Sequence, residues 1–449
     1  MVEAGFLELP PRDVTLKSSP VHIAATARVF YNLLPADESP EDKPVLFVFN
    51  GFAAEVVRAF GTGKYTVADD GSLAPNPTPY TTFANVVYLE PRQSGYSYDV
   101  VTGRAPTVTD DCSPSLFNEY VDAADVLLAA LTFLDAHPQL RGPVFWVGES
   151  YAGVRITWIL SYLRGRWDLA SYEDPTLAAR IAANSRATSL RAGQILLEAW
   201  LAGGADTTAI AAECSDPVLE SGVAASIAGG GCGSLDACDC AAQNDRSPYN
   251  YTYTTEHEVA RETSASEAHI APASAATLLG IPLTSIPLLA ASARATGFKC
   301  TPPDDTIPSE DALVATLGAL PAGQAYYAPF SPLYPGKETS PTTRDWQTTN
   351  DEALAFVDNL RDVPAFLTAG ARDLVVPTRA LAPALEAVLG ASRIDASSPN
   401  ELGVLYPDDA GGERFIDVHA YPDAGHMVEM ISPAALAGDV EAWVAQHAP

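Results

Sequence analysis

Val144-Phe145-Trp146-Val147-Gly148-Glu149-Ser150-Tyr151-Ala152-Gly153 is the stretch on which the reading of this 449-residue chain turns. Four apolar residues in a row suit a buried strand, and the run from Val154 to Leu163 has helical character. Between them stands Ser150, with a glycine two positions away on either side, the G-x-S-x-G pattern. Glycines suit a strand-to-helix turn too tight for side chains. Such a turn thrusts the Ser150 hydroxyl into a cleft and sets the next backbone N–H at a helix N-terminus, where negative charge is favoured. The pattern alone is a weak signal, but a strand before it and a helix after it make Ser150 a candidate nucleophile.

Working outward, the same alternation continues on both sides. Val45 to Phe49 is a short apolar run ending at Asn50-Gly51, and Asn85 to Leu89 is another, stopped by Glu90-Pro91. From Leu116 to Leu134, the residues Tyr120, Ala124, Leu127, Leu131 and Leu134 form one stripe at helical spacing, which Pro138 and Gly142 end. Gln194 to Trp200 reads as a further strand. From Gly203 to about Asp345 the chain turns rich in Ala, Ser, Thr, Pro, Gly and Cys, and the alternation is lost. It resumes with a helix over Glu352–Leu360, strands over Val363–Leu367 and Phe415–Ala420, and a final helix from Pro433 to about Gln446. The expectation is an α/β protein with a mostly parallel central sheet flanked by helices. Residues 1–202 and 346–449 would form the two parts of the core, and residues 203–345 an inserted cap.

Composition narrows the partners. The apolar fraction of 47% suffices for a large core, and the net charge of −30 argues against nucleic acid or an anionic membrane. Residues 1–20 lack a basic segment followed by a continuous apolar one, so the chain as written reads as cytoplasmic, or as secreted if a leader was removed. The most apolar stretch, Ala271 to Ala291, is broken by Pro272, Gly280, Pro282 and Pro287 and does not suit a membrane span. Of the six cysteines, Cys214, Cys232, Cys238, Cys240 and Cys300 cluster, with Cys112 apart. Disulfides or free buried thiols fit them better than a metal, because C-x5-C-x-C without a histidine is no common zinc spacing. Asn250-Tyr251-Thr252 is a glycosylation sequon, meaningful only in a secreted chain. No metal and no cofactor are expected.

A serine nucleophile needs a base for its proton and a carboxylate to orient that base. Only His419 and His426 of the seven histidines come late in the chain near a strand. His419 falls inside the Phe415–Ala420 run and reads as a packed or edge residue, whereas His426 falls on the loop beyond it. Asp373 follows the strand over Val363–Leu367 in the same way. Ser150, Asp373, His426 is the chain order of a Ser-Asp-His triad on a parallel α/β sheet.

At these stretches the chain resembles the serine carboxypeptidases of the α/β-hydrolase superfamily. Phe49-Asn50-Gly51 is similar to the start of the family's Asn-Gly-Gly-Pro-Gly loop, and Leu89 to Ser97 to its Asp-Pro-Val-Gly-Thr-Gly-Tyr-Ser segment. Gly148 to Gly153 matches its serine motif at every position, and the Asp373 and Gly425-His426-Met427 segments match its other catalytic motifs. The resemblance implies an α/β-hydrolase fold and a hydrolase that releases C-terminal residues from peptides through an acyl-enzyme. Ser150 would attack, His426 would act as general base and then acid, and Asp373 would orient His426. The N–H of Tyr151 and one from the Gly51–Phe52 loop would form the oxyanion hole, while Asn50 and Glu149 would bind the substrate's C-terminal carboxylate. Two carboxylates in contact must share a proton, which is how the resemblance implies a preference for acidic pH.

Departures from the family pattern bear on the substrate. Phe52-Ala53-Ala54 stands where the family has Gly-Pro-Gly, Gln93-Ser94-Gly95 replaces Gly-Thr-Gly, and Arg92 is expected to add a positive charge at the mouth of the cleft. Two alternatives follow: an acyltransferase or esterase on the same fold, and a non-catalytic peptide-binding protein. The expected partner is a peptide or a small acyl substrate.

Overall fold

Strands and helices form where the apolar runs place them. The structure, a computed structural model, describes residues 3–50, 61–67, 73–92, 97–100, 119–186, 189–197, 355–356, 358–370, 392–394, 401–407, 413–421, 424 and 428–448. The strands in chain order are β1 (Glu3–Leu9), β2 (Arg12–Leu16), β3 (Ser19–Ile23), β4 (Thr26–Leu34), β5 (Val45–Asn50), β6 (Tyr65–Val67), β7 (Leu73–Pro75), β8 (Asn85–Leu89) and β9 (Tyr98–Val100). Then come β10 (Val144–Glu149), β11 (Tyr172–Glu173), β12 (Gly193–Leu197), β13 (Ala365–Gly370), β14 (Ser392–Ile394), β15 (Glu401–Pro407) and β16 (Glu413–Tyr421). The helices are α1 (Glu119–Ala136), α2 (Ala152–Leu163), α3 (Trp167–Ala170), α4 (Pro175–Ala183), α5 (Val428–Ile431) and α6 (Pro433–His447).

Eleven strands make one sheet in the order β1-β4-β8-β5-β10-β12-β13-β16-β15-β14, with β9 also on β4. The six from β8 to β16 are mutually parallel, and antiparallel strands extend the sheet at each side. This is the mostly parallel α/β sheet that the alternation implies. Every residue of β5 and β10 is buried, as expected of strands covered on both faces. Phe47 and Trp146 stack at 5.2 Å between ring centroids, and Phe133 of α1 meets Phe47 edge-on at 5.8 Å. On the opposite face, Trp443 of α6 lies 5.8 Å from Phe145 and 5.9 Å from Phe366. Trp443 packs where strand β12 has no side chain: a Cβ on Gly193 would lie 2.5 Å from its ring.

Two features were not foreseen. The segment before Val45, to which no element was assigned, forms β1 to β4, with β2 and β3 joined by Lys17 and Ser18, both in left-handed backbone at φ 46° and 66°. Antiparallel β14 and β15 extend the far side of the sheet. In the register β12 and β13 are neighbours, Gln194 beside Ala365, so residues 198–364 leave and re-enter between adjacent strands. The expected cap, residues 203–345, lies outside the described residues, as do all six cysteines, the stretch 271–291 and Asn250. Among the described residues no helix is long and apolar enough to cross a membrane, and no cluster of acidic, His or Cys side chains could hold a metal ion.

The chain re-enters along α2. Asn359, in the helical stretch before β13, donates from Nδ2 to the Thr157 carbonyl at 2.7 Å. Arg164 bonds Asp358 at 2.6 Å and Asp362 at 2.7 Å, and Arg166 bonds Asp358 at 2.5 Å.

Candidate active site

From β5 the chain runs first to β8 on one side, then crosses to β10 on the other. The gap between β5 and β10 is therefore the topological switch point, the place where open parallel sheets leave a crevice at their C-terminal ends. Asn50 ends β5, Glu149 ends β10, and the two are register partners across that gap. Both are buried. Ser150 comes next.

Ser150 adopts φ +58°, left-handed backbone that a side chain enters at a cost of about 1–3 kcal/mol. The neighbours hold it there. Its N–H donates to the Leu197 carbonyl at the end of β12, 3.0 Å away, and its carbonyl accepts from Gly153 N–H at 3.0 Å to open α2. Gly148 makes the approach possible: a Cβ there would lie 2.6 Å from Ile156 Cδ1 and 3.0 Å from Ala152 Cβ. The turn thus aims the start of α2 at the nucleophile position, and the first N–H groups of a helix lack acceptors within it. Tyr151, immediately after Ser150, occupies the N-cap position of α2.

The remaining triad candidates meet the described structure only through their strands. β10, β13 and β16 run parallel, so Glu149, Gly370 and Tyr421 end on the same edge of the sheet. Asp373 follows Gly370 and His426 follows Tyr421 in sequence, and both lie outside the described residues, as do Gly51 and Phe52. His419 lies on β16, its Nδ1 3.3 Å from Asp439 Oδ2 of α6 and its ring 4.8 Å from Phe366, the packed position expected of it.

One expectation is overturned. Arg92 does not charge the mouth of the cleft: it is buried, with Nε donating to Asp125 Oδ2 of α1 at 2.5 Å. A buried carboxylate attracts the guanidinium inward because water is not there to compete. Arg12 lies 2.6 Å from the other oxygen of Asp125 and donates from Nε to Asp174 Oδ2 at 2.7 Å. Asp174 in turn caps α4 through Leu177 N–H at 2.9 Å and accepts from Tyr172 at 3.1 Å. Burial pushes the Asp125 carboxyl up, but Arg12 and Arg92 together bring it below the usual carboxylate range. The segment that Arg92 anchors is also pinned at its ends. Phe30 N–H donates to Ser97 Oγ at 2.9 Å, Ser97 Oγ donates to the Glu90 carbonyl at 2.8 Å, and Glu90 N–H donates to the Phe30 carbonyl at 3.0 Å.

A second buried pair sits directly beneath the elbow. Arg155 Nε donates to Asp122 Oδ2 of α1 at 2.7 Å, and its Nη1 donates to the Asn50 carbonyl at 2.8 Å. Its guanidinium lies 5.6 Å from the Phe49 ring centroid and 5.4 Å from that of Tyr151. Burial raises the Asp122 carboxyl, and Arg155 offsets part of that rise. Sequence reasoning passed over these residues, although a signal was present. Arg155 is the one charged residue in α2, and Asp122 and Asp125 stand three positions apart on one face of the N-terminal half of α1.

With this geometry in view, the comparisons are specific. The sequence model of the serine carboxypeptidase family matches residues 13–171, which take in the Asn50 strand end, the Glu90–Ser97 segment and the elbow. Over those residues the chain is similar to the serine carboxypeptidases. Serine carboxypeptidase S10 family member 1 of Dictyostelium discoideum is 28% identical over 138 residues, 30% of this chain and 31% of that relative. Serine carboxypeptidase 3 of Oryza sativa subsp. japonica is 27% identical over 131 residues, 28% of this chain and 24% of the relative. The chain therefore matches well under half the length of these curated relatives. A prohormone-processing carboxypeptidase from Saccharomyces cerevisiae superposes with a TM-score of 0.49 and 13% identity, covering 99% of this chain and 91% of that one. Asp373 and His426 fall beyond the residues that the family model matches.

Proposed function

We propose that this chain is a serine hydrolase of carboxypeptidase type, releasing C-terminal residues from peptides through an acyl-enzyme. The observation that supports it most is Ser150 in left-handed backbone at the switch point, with Asn50 and Glu149 side by side next to it. In this reading Ser150 Oγ attacks the last peptide carbonyl while His426 takes its proton and Asp373 holds the imidazole. The oxyanion is met by the N–H of Tyr151 and one from the Gly51–Phe52 loop. His426 then protonates the leaving amine, and water repeats the sequence on the ester. Asn50 and Glu149 receive the free carboxylate of the substrate, which makes the site read a chain end. The inserted region, residues 203–345, serves as the cap that sets side-chain preference.

The test has two arms. A fluorophosphonate should label the wild type and leave Ser150→Ala unlabelled; labelling of both would remove Ser150 from the mechanism. An N-blocked dipeptide with a free carboxylate should lose its last residue, and the same peptide amidated at the C-terminus should not. Because Glu149 and the substrate share one proton, kcat/KM for the free acid should fall as pH rises, and Glu149→Gln should flatten that fall. Turnover of small esters without amino-acid release would move the reading to an esterase or acyltransferase.

A further inference from the structure

We infer that Arg155 is a positioning residue that holds Asn50 at its distance from Glu149, and so sets how sharply the site tells a free C-terminal carboxylate from an amide. The inference rests on the reading of Asn50 and Glu149 as carboxylate receivers given above. The two receivers are held by different means. Glu149 lies inside the sheet, with Asn50 opposite it on β5 and Leu197 opposite it on β12. At Asn50 both ladders of β5 run out: the pairing with β8 ends at Val48, and the pairing with β10 ends at Asn50 itself. Beyond that point β10 turns into the elbow, and Ser150 gives its N–H to Leu197 on β12, away from β5. At the end of its ladders, the Asn50 carbonyl accepts from Arg155 Nη1 at 2.8 Å.

The guanidinium is itself fixed from two further sides. Its Nε donates to Asp122 Oδ2 of α1 at 2.7 Å, and it packs 5.6 Å from the Phe49 ring centroid and 5.4 Å from that of Tyr151. Strand end, elbow and α1 thus share one anchor. Arginine suits this task because its planar fork fixes the angle between two donors, whereas lysine offers one compact charge on a flexible stem. The side chain is 2% exposed, so bulk water does not stand in for a lost bond. A carboxylate held by two groups is sensitive to the spacing between them, since a hydrogen bond weakens once donor and acceptor part beyond about 3.2 Å.

The test is binding rather than turnover, on the full chain carrying Ser150→Ala so that the ligand is not consumed. Calorimetry with an N-blocked dipeptide and with its C-terminal amide, at mildly acidic pH, gives an acid-over-amide preference. Adding Arg155→Lys should cut that preference about 10-fold, chiefly by weakening the free acid, as expected when a hydrogen bond to a charged group is lost. Adding Asp122→Asn, which keeps an oxygen acceptor for Nε, should cut it in the same sense by a smaller factor. Thermal melting shows whether each variant is folded. An unchanged preference in folded Arg155→Lys overturns the inference. Equal weakening of acid and amide also overturns it, because a general loosening of the elbow would do that. If Arg155→Lys does not fold, Asp122→Asn decides: an unchanged preference in that variant sinks the inference. Absence of any acid-over-amide preference with Arg155 intact is a separate result, which removes the reading of Asn50 and Glu149 and takes this inference with it.

Discussion

Two arginine–aspartate networks brace the two ends of α2, and they differ in burial, not in chemistry. Near its N-terminus, Arg155 and Asp122 are 2% and 9% exposed, and the adjoining Arg92, Arg12 and Asp125 are also buried. At its C-terminus, Arg164 and Arg166 reach Asp358 and Asp362, the last of which is 51% exposed. The Arg164–Asp362 pair gains little, because solvent screens the exposed carboxylate and a long side chain must be ordered. Beneath the elbow the charges have lost their hydration, so each depends on its partner. One network therefore fixes geometry, and the other fastens the returning chain.

Four substitutions bear on that contrast. Arg155→Met leaves Asp122 buried without its cation and should cost about 3–5 kcal/mol of stability, measured by denaturant unfolding. Adding Asp122→Leu should restore much of that stability by replacing the pair with apolar packing, without restoring turnover. Recovery of both would show that the pair only holds the fold.

Asp125→Asn comes next in size. The Asp125 carboxyl is lowered in the folded state, so its contribution is present above the unfolded carboxylate value of about 3.9 and is lost as pH falls through the lower folded one. The gap in unfolding free energy between wild type and Asp125→Asn should be widest near neutrality and narrow in acid. A gap that widens on acidification would reverse the assignment of Asp125 as the carboxylate shared by Arg12 and Arg92. The smallest effect is expected at the other end: Asp362→Ala should cost under about 1 kcal/mol, and added salt should shrink it further. A loss as large as that of Arg155→Met would erase the contrast.

Much of this arrangement was legible in the sequence. The runs at Val45, Asn85, Val144 and Gln194 were read as strands because parallel strands buried on both faces show as unbroken apolar segments. The helices at Leu116–Leu134 and Val154–Leu163 followed from the stripe and from the glycine-flanked serine. The strands before Val45 stayed hidden for a local reason. The Lys17-Ser18 turn places two ordinary residues in left-handed backbone, where the usual signal is Asn or Gly. Arg92 was misplaced for a different reason. Its partner, Asp125, is 33 positions away, and a sequence shows a charge without showing what lies opposite. Ser150, Asn50 and Glu149 could be named as candidates because their motif is contiguous or ends a strand. Arg155 could not, since its contact is to a carbonyl 105 positions earlier.

The adjacency of β12 and β13 has a consequence for how such a chain can diversify. The chain leaves the sheet after residue 197 and re-enters it at residue 365, on the neighbouring strand. The entropy of closing a loop grows only with the logarithm of its length, about 0.6 kcal/mol for each doubling. Trading that stretch for one half or twice as long is thermodynamically almost neutral for the hydrogen-bonded ladder on either side. Lineages sharing this sheet can thus rewrite the segment wholesale while the serine turn, built from residues 144–163, stays where it is.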